Sequence, residues 1–406
     1  MSTFATYLRD NARWLSAGVL LTCLSSFGQT FFIALFAADI QSAFDLSHGG
    51  WGLIYTLGTT ASAIVMVWAG RQADVFRVRT LGALSLIALA LACVAMALNP
   101  WLWLLPFVVF ALRLTGQGMM SHIAAVAMAR WFVATRGRAL SIAALGFSFG
   151  QALLPIAVVA LMTVLDWRMI WIICAGIALF GVPILMQLLS KERTPASMAK
   201  SSESLGMEGR HWTRKDMLRH PLFWFMVPAI LGPSAFSTAF FFYQVHYAGV
   251  VGISTMQMVS YFPFFTVMIV IAMLFTGMLV DRFGTPKLLP YHQLPMVMAF
   301  AIFSTHFLGL GWGFLFLALT AGAQTTLIAA FWAEFYGTAH LGAIKAIAAA
   351  VMVLGSAIGP GLIGVLIDFG IGIETQYAWV AAYFVLTSLL IWVGVTKARK
   401  SLPVAA

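Results

Sequence analysis

Gly277-Met278-Leu279-Val280-Asp281-Arg282-Phe283-Gly284 closes one of the apolar runs of the chain, and Gly70-Arg71-Gln72-Ala73-Asp74 closes another. Each stretch is a glycine, an aspartate four residues later, and basic residues beyond: Arg77 and Arg79 after the first, Arg282 and Lys287 in and after the second. The two glycines are 207 residues apart (277 − 70), about half of the 406-residue chain. A motif that returns at half the chain length is the mark of an internal duplication.

The runs that these motifs close account for most of the chain. Hydrophobic residues make up 62% of it and charged residues only 9%, against about 45–50% and about 25% in soluble domains. A membrane helix needs roughly 20 apolar residues, and twelve such spans fit: about 14–38, 51–69, 80–98, 104–130, 139–164, 168–189, 221–246, 256–278, 287–307, 312–334, 343–366 and 377–396. This excludes a soluble enzyme, a nucleic-acid-binding domain and a disordered scaffold. The expected fold is therefore an all-α membrane protein of twelve transmembrane helices in two six-helix pseudo-repeats. The net charge of +10 is distributed as an orientation signal. Loops on one side hold 21 of the 23 Lys and Arg, the opposite loops hold only Arg168, and Arg113 lies inside a span. The basic side faces the cytoplasm, so both termini are expected there, in the cell inner (plasma) membrane.

Residues 190–220 differ from the other loops. They are polar, with Ser201, Ser202, Ser204, Gly206 and Gly209, and they divide the chain into bundles over 1–189 and 221–406. The expectation is a solvated cytoplasmic linker carrying a short interfacial helix. Thr213 and Asp216 have capping-box spacing before that helix, and Pro221 can open the seventh span, where a missing N–H costs least. Cys23, Cys93 and Cys174 lie inside apolar runs and read as small hydrophobes. With no CxxC or Cys/His cluster, no metal and no cofactor are expected. No nucleophile–base pair is placed credibly within the spans, so no catalytic residue is assigned.

The two repeated loops resemble the signature of the major facilitator superfamily. Gly70, Asp74, Arg77 and Arg79 are similar to its loop 2–3 motif, and Gly277, Asp281, Arg282, Gly284 and Lys287 to the loop 8–9 copy. The first copy departs from the pattern, with Val75-Phe76 where Arg-x-Gly is usual. The resemblance covers the whole chain. It implies a carrier that works by alternating access, with these residues gating. The glycines would let helix ends pack closely, and Arg130 at the end of span 4 is the expected partner of Asp74. Spans 5 and 11 carry Gly146, Gly150 and Pro155, and Gly355, Gly359 and Pro360, spacing that lets helices approach. A narrower resemblance is to the monocarboxylate and oxalate–formate transporter branch. Ala129-Arg130-Trp131-Phe132, Arg136-Gly137-Arg138-Ala139, Asp166-Trp167-Arg168, Glu334-Phe335-Tyr336-Gly337 and Gly359-Pro360 carry it. The charges that branch often places in spans 1, 8 or 11 are missing here, so its binding residues do not transfer.

Arg113 is the one charge deep in a span. A central arginine costs roughly 2.5–3.5 kcal/mol on insertion scales, so it should face a cavity or a partner. Gln117 and Ser121 follow at four-residue steps, forming a polar stripe on one face. Acidic residues lie in loops or at helix ends. A guanidinium with no acid beside it suits a carboxylate, which it can hold in bidentate fashion; hydrogen bonding to backbone carbonyls of span 1 is the alternative. The resemblance implies a cavity lined by spans 1, 4, 7 and 10. Candidate substrate-binding residues are Arg113, Gln117, Gln29, Ser25, Gln151, Tyr261 and Gln324. Tyr243, Gln244 and His246 mark an outer vestibule. His122 is the titratable candidate for coupling to a proton.

The expected function is secondary active transport of a small organic anion, a monocarboxylate by the narrower resemblance, by a carrier able to act as a monomer. The alternative on the same fold is a proton-coupled exporter of hydrophobic or cationic compounds.

Overall fold

A computed structural model describes residues 4–70, 72–132, 135–191 and 205–402, and among these every regular element is helical. Among the described residues ten helices are long and apolar enough to cross a membrane, and the count is eleven if the bent pair Ala5–Gly28 and Thr30–Phe44 forms one span. The chain divides into two compact units. The first comprises Met1–Lys200 and Phe241–Ser260, and the second Ser201–Phe240 and Tyr261–Ala406.

In the first unit, α1 (Ala5–Gly28) and α2 (Thr30–Phe44) meet at an angle of 46°. They are followed by α3 (His48–Ala69), α4 (Val78–Leu98), α5 (Leu102–Trp131), α6 (Arg136–Leu161) and α7 (Trp167–Leu188). Here α1 packs along α6, α3 along α5, and α4 along α7. Small residues allow this closeness. A Cβ on Gly146 would strike the Val19 carbonyl and the Thr22 hydroxyl, and one on Gly150 would strike the Ser26 hydroxyl.

In the second unit, α8 (Arg214–Arg219) leads into α9 (Pro221–Phe242). After α10 (Gln244–Val251) and α11 (Thr255–Val259), both assigned to the first unit, come α12 (Tyr261–Phe283), α13 (Leu294–Thr305), α14 (Leu310–Tyr336), α15 (Leu341–Asp368) and α16 (Ile373–Ala398). The pairing repeats that of the first unit: α12 lies along α14 and α13 along α16. A Cβ on Gly355 would stand 2.6 Å from the Leu231 carbonyl of α9, and one on Gly359 would strike the Ala235 carbonyl. Gly146 and Gly150 of α6 thus have counterparts in Gly355 and Gly359 of α15, each 209 residues on (355 − 146 and 359 − 150).

Three differences from the sequence expectation have physical causes. The segment 287–307 is not one long helix. Prolines at the starts of Thr285–Leu288, Leu289–Tyr291 and α13 divide it, because a proline removes an amide donor and fits only a first turn. The twelve-residue α13 nevertheless holds against α16 the place that α4 holds against α7. The second half of 190–220 is not a solvated linker. Met207, Trp212 and Met217 are buried with Phe331, Trp332, Phe335 and Tyr336. The Trp212 amide donates to the Tyr336 carbonyl at 3.0 Å. Burying a large apolar side chain is worth about 1.5–3 kcal/mol, enough to dock the segment. The capping box of Thr213 and Asp216 is formed at the start of α8. The third difference concerns 241–260, which packs within the first unit rather than with the rest of 221–406. Phe242 stacks on Trp51 at 5.5 Å, Tyr243 donates to the His48 carbonyl at 3.0 Å, and Gln244, fully buried, donates to the Phe31 carbonyl at 2.9 Å. Two of the three vestibule candidates are therefore buried packing residues, while His246 lies half-buried 4.3 Å from the His48 ring.

Candidate functional site

The site begins where α1 breaks. Ser25–Gly28 winds as a 3-10 turn, and Gln29 is extended (φ −86°, ψ 152°) before α2 starts at Thr30. A break within a bilayer strands carbonyl groups that must find donors, since lipid offers none. On the facing helix, α5 widens into a π-helix over Arg113–Met120, a distortion frequent at functional sites. The two irregular segments touch glycine to glycine. A Cβ on Gly28 would stand against the Leu112 carbonyl and 2.8 Å from Gly116 Cα, and one on Gly116 would stand 2.7 Å from Gly28 Cα.

Arg113 occupies this junction and is 2% exposed. Its Nη1 donates to the Gly28 carbonyl at 3.2 Å and to the Thr30 hydroxyl at 3.3 Å. Thr30 and the Tyr55 hydroxyl lie 2.5 Å apart, and the guanidinium sits 5.2 Å from the centre of the Tyr55 ring. Hydrogen bonds from charged groups contribute about 1.5–3 kcal/mol each, and a desolvated cation–π contact about 2. Together these offset the insertion cost of an arginine without a ligand. The guanidinium is nevertheless incompletely used: no carboxylate pairs with it among the described residues, and its buried Nε has no hydrogen-bond partner.

The other predicted substrate residues divide between the units. Ser25, buried, donates to the Thr22 carbonyl at 2.7 Å, so its hydroxyl is committed within α1. Gln29 and Gln117 are half-buried on either side of the glycine contact. Gln151 is 8% exposed on α6, next to the Gly150 that packs on Ser26. The structure thus gathers Ser25, Gln29, Arg113 and Gln117 at one junction, with Gln151 on the helix that packs against α1. Tyr261 and Gln324 belong to the second unit, where Tyr261 stacks on Phe314 at 5.3 Å.

Thr30 and Tyr55 are the contacts that sequence reasoning missed. A signal existed for Tyr55: it and Tyr7 are the only tyrosines before Tyr243, and only Tyr55 lies within an expected span.

Two gating candidates of the first unit, Gly70 and Arg130, have contacts at the end of α3 and in the segment that follows it. His122 Nε2 lies 3.1 Å from the Gly70 carbonyl, and Arg130 Nη1 donates to the Ala73 carbonyl at 2.8 Å. The two side chains are eight residues apart on α5 and share a face, so α5 clasps the loop that carries the motif. His122 is the coupling candidate, and the Gly70 carbonyl is its contact there. The expected partner of Arg130, the Asp74 side chain, lies outside the described residues. Arg77 is exposed just before α4. In the second copy, Asp281 and Arg282 are exposed and Arg282 lies over the Phe283 ring at 5.3 Å. The close packing expected at Gly277 is not found, since nothing beyond its own stretch of helix would lie within 4 Å of an added Cβ. Gly284 instead needs its glycine backbone, with φ +77°.

These features are those of a helical membrane bundle with repeated helix pairings, a broken first span and a buried cation at the break. The Major Facilitator Superfamily profile matches residues 18–316, and the chain belongs to that superfamily: it is a multi-pass membrane transporter of small molecules and not an enzyme. A bacterial homologue of the human lysosomal transporter Spinster shares the fold at a TM-score of 0.73 and 15% identity, over 98% of this chain and 99% of that one. A D-xylose–proton symporter does so at 0.73 and 16%, over 96% and 98%. The nucleoside transporter NupG does so at 0.71 and 13%, over 96% and 99%. An uncharacterised 38 kDa protein encoded in the 23S RNA operon of Thermoproteus tenax is 30% identical over 141 residues, 35% of this chain and 37% of that protein. The chain thus matches little more than a third of that relative's length.

Proposed function

We propose that this carrier moves a small organic anion, a monocarboxylate, across the cell inner membrane by alternating access, with Arg113 as the anchor of the carboxylate. One observation carries the reading. A fully desolvated guanidinium beside a broken helix has no carboxylate partner among the described residues and keeps an unused Nε. A carboxylate is the planar two-oxygen acceptor that matches such a group. Gln29 and Gln117, next in sequence to the two glycines that meet there, are proposed to share in binding, and Gln151, Tyr261 and Gln324 complete the proposed substrate set. Gly70, Asp74, Arg77 and Arg130, with Gly277, Asp281 and Arg282, form the proposed gates. Protons, carried by His122 or by the substrate carboxyl itself, are the proposed coupling ion. The basic asymmetry of the loops supports cytoplasmic termini, and the two repeated halves within one chain support a working monomer.

The test is uptake of labelled monocarboxylates into proteoliposomes. Arg113→Lys should keep part of the activity, because an ammonium retains charge but loses bidentate geometry, whereas Arg113→Ala should lose nearly all of it with normal membrane insertion. Full monocarboxylate uptake by Arg113→Ala would remove the anchor.

A further inference from the structure

A cavity of about 450 Å³ opens in the second unit at the start of α9, lined by Arg219, Pro221, Trp224, Phe225 and Leu390. From this geometry we infer a binding site for an anionic phospholipid, its phosphate held by Arg219 and an acyl chain laid along Phe225 and Leu390.

The walls are fixed by the fold. Met217 anchors α8 in the core and the capping box holds its first turn. The Trp224 indole N–H donates to the Leu218 carbonyl at 2.9 Å, which pins the ring across the junction of α8 and α9. Beside it α9 packs closely on α16: a Cβ on Gly394 would stand 2.8 Å from Phe225 Cβ. The result is a groove lined by one cation and four apolar side chains.

Three features match this groove to an amphiphile with a negative head. Trp224 is 60% exposed at the first turn of a membrane helix, the level at which tryptophans sit among headgroups. Arg219 is exposed; after the hydrogen bonds with Thr213, its charge helps to hold the nearby Asp216 carboxyl below its ordinary value, without a hydrogen bond or close ion pair between Arg219 and Asp216 among the described residues. The surrounding charge is positive. Arg214 and Lys215 share α8, and Lys397 lies seven residues beyond Leu390 on the same face of α16. The neighbouring acids are engaged, Asp216 by Thr213 and Glu208 by Arg210 at 3.0 Å. A free phosphate would find the cation but leave the apolar walls empty, and a zwitterionic lipid would bring a phosphate whose charge its own ammonium offsets, so a head of net negative charge is the better match.

The test is native mass spectrometry of the purified full-length carrier titrated with phosphatidylglycerol and with phosphatidylcholine. The wild type should retain one phosphatidylglycerol in preference to phosphatidylcholine. Arg219→Gln, a change at an exposed side chain, should weaken phosphatidylglycerol binding about fivefold, the weight of one basic residue at an anionic membrane surface, and erase the preference. Leu390→Trp, which fills the groove, should weaken both lipids. Lys215→Gln, on the same short helix but outside the groove, should leave the preference in place. Equal phosphatidylglycerol affinity in Arg219→Gln and wild type would overturn the site, as would an equal loss in Lys215→Gln and Arg219→Gln. Inorganic phosphate that displaces the lipid at comparable concentration would overturn the acyl-chain contact.

Discussion

Arg113 serves the fold and the proposed chemistry with different parts of one side chain. Its Nη1 satisfies the carbonyl stranded by the break in α1, while Nε is left over. Removing the side chain therefore strands a buried carbonyl, at about 1–3 kcal/mol, in addition to any loss of substrate. The glycines that bring the helices together are equally specific. Gly28→Ala places a methyl against the Leu112 carbonyl. Overpacking of this kind costs about 1–3 kcal/mol, so the variant should melt several degrees lower in detergent; an unchanged melting temperature would show that α1 and α5 can separate freely there. Tyr55→Phe keeps the ring over Arg113 and removes the hydroxyl next to Thr30. It should lower stability by about 0.5–1.5 kcal/mol, the value of one intramolecular hydrogen bond, so the variant should melt slightly below the wild type in detergent; an unchanged melting temperature would show that the Thr30–Tyr55 contact contributes nothing. Arg113 was legible in the sequence because a charge inside an apolar run stands out. Tyr55 was not placed beside it, because the contact depends on how α3 meets the break in α1, which spacing within either helix does not encode.

At the scale of the helix, the small-residue spacing of spans 5 and 11 was readable as close packing, and Gly146, Gly150, Gly355 and Gly359 do meet neighbouring backbones or hydroxyls. The same reasoning failed at Gly277, where nothing beyond its own stretch of helix approaches, because a glycine permits closeness without requiring it. The division of 287–307 was present in Pro286, Pro290 and Pro295, but hydropathy averages over prolines. The docking of 205–220 was hidden by polar neighbours, which outnumber Met207, Trp212 and Met217. That docking makes a pH prediction. The Leu222 amide donates to His220 Nδ1 at 3.3 Å, and burial, the leading cause, holds the imidazole below its ordinary value. A base whose folded pKa is depressed binds protons more readily unfolded. Stability is therefore constant above the ordinary histidine pKa of about 6.5 and falls as pH drops below it. Hydrogen exchange over Leu222–Phe225 should speed up between pH 7 and pH 5, and His220→Gln should flatten the change. A pH-independent exchange pattern in the wild type, after correction for intrinsic rates, would contradict this.

For the whole molecule, hydropathy and the 207-residue repeat gave the helical class and the duplication, and the same helix pairings recur in each unit. The membership of 241–260 in the first unit was not legible, because it rests on Trp51, Phe31 and His48, contacts distant in sequence. Orientation is tested at this scale. In intact cells, a membrane-impermeant thiol reagent should label a cysteine replacing Ser47 and spare one replacing Ser401. The reverse pattern would invert the proposed topology.

In the proposed mechanism the unused part of Arg113 binds the substrate anion. Thermal unfolding of purified wild type, Arg113→Lys and Arg113→Ala against small carboxylates, neutral solutes and organic cations tests it most directly. A ligand that binds the folded state adds stability by mass action, about 2.7 kcal/mol at a hundred times its Kd. Small monocarboxylates should raise the melting temperature of the wild type, raise that of Arg113→Lys less, and leave Arg113→Ala unchanged while it still melts cooperatively. Equal stabilisation of Arg113→Ala by the same carboxylates, or stabilisation of the wild type by cations alone, would contradict the claim and leave Arg113 as the cap of a broken helix.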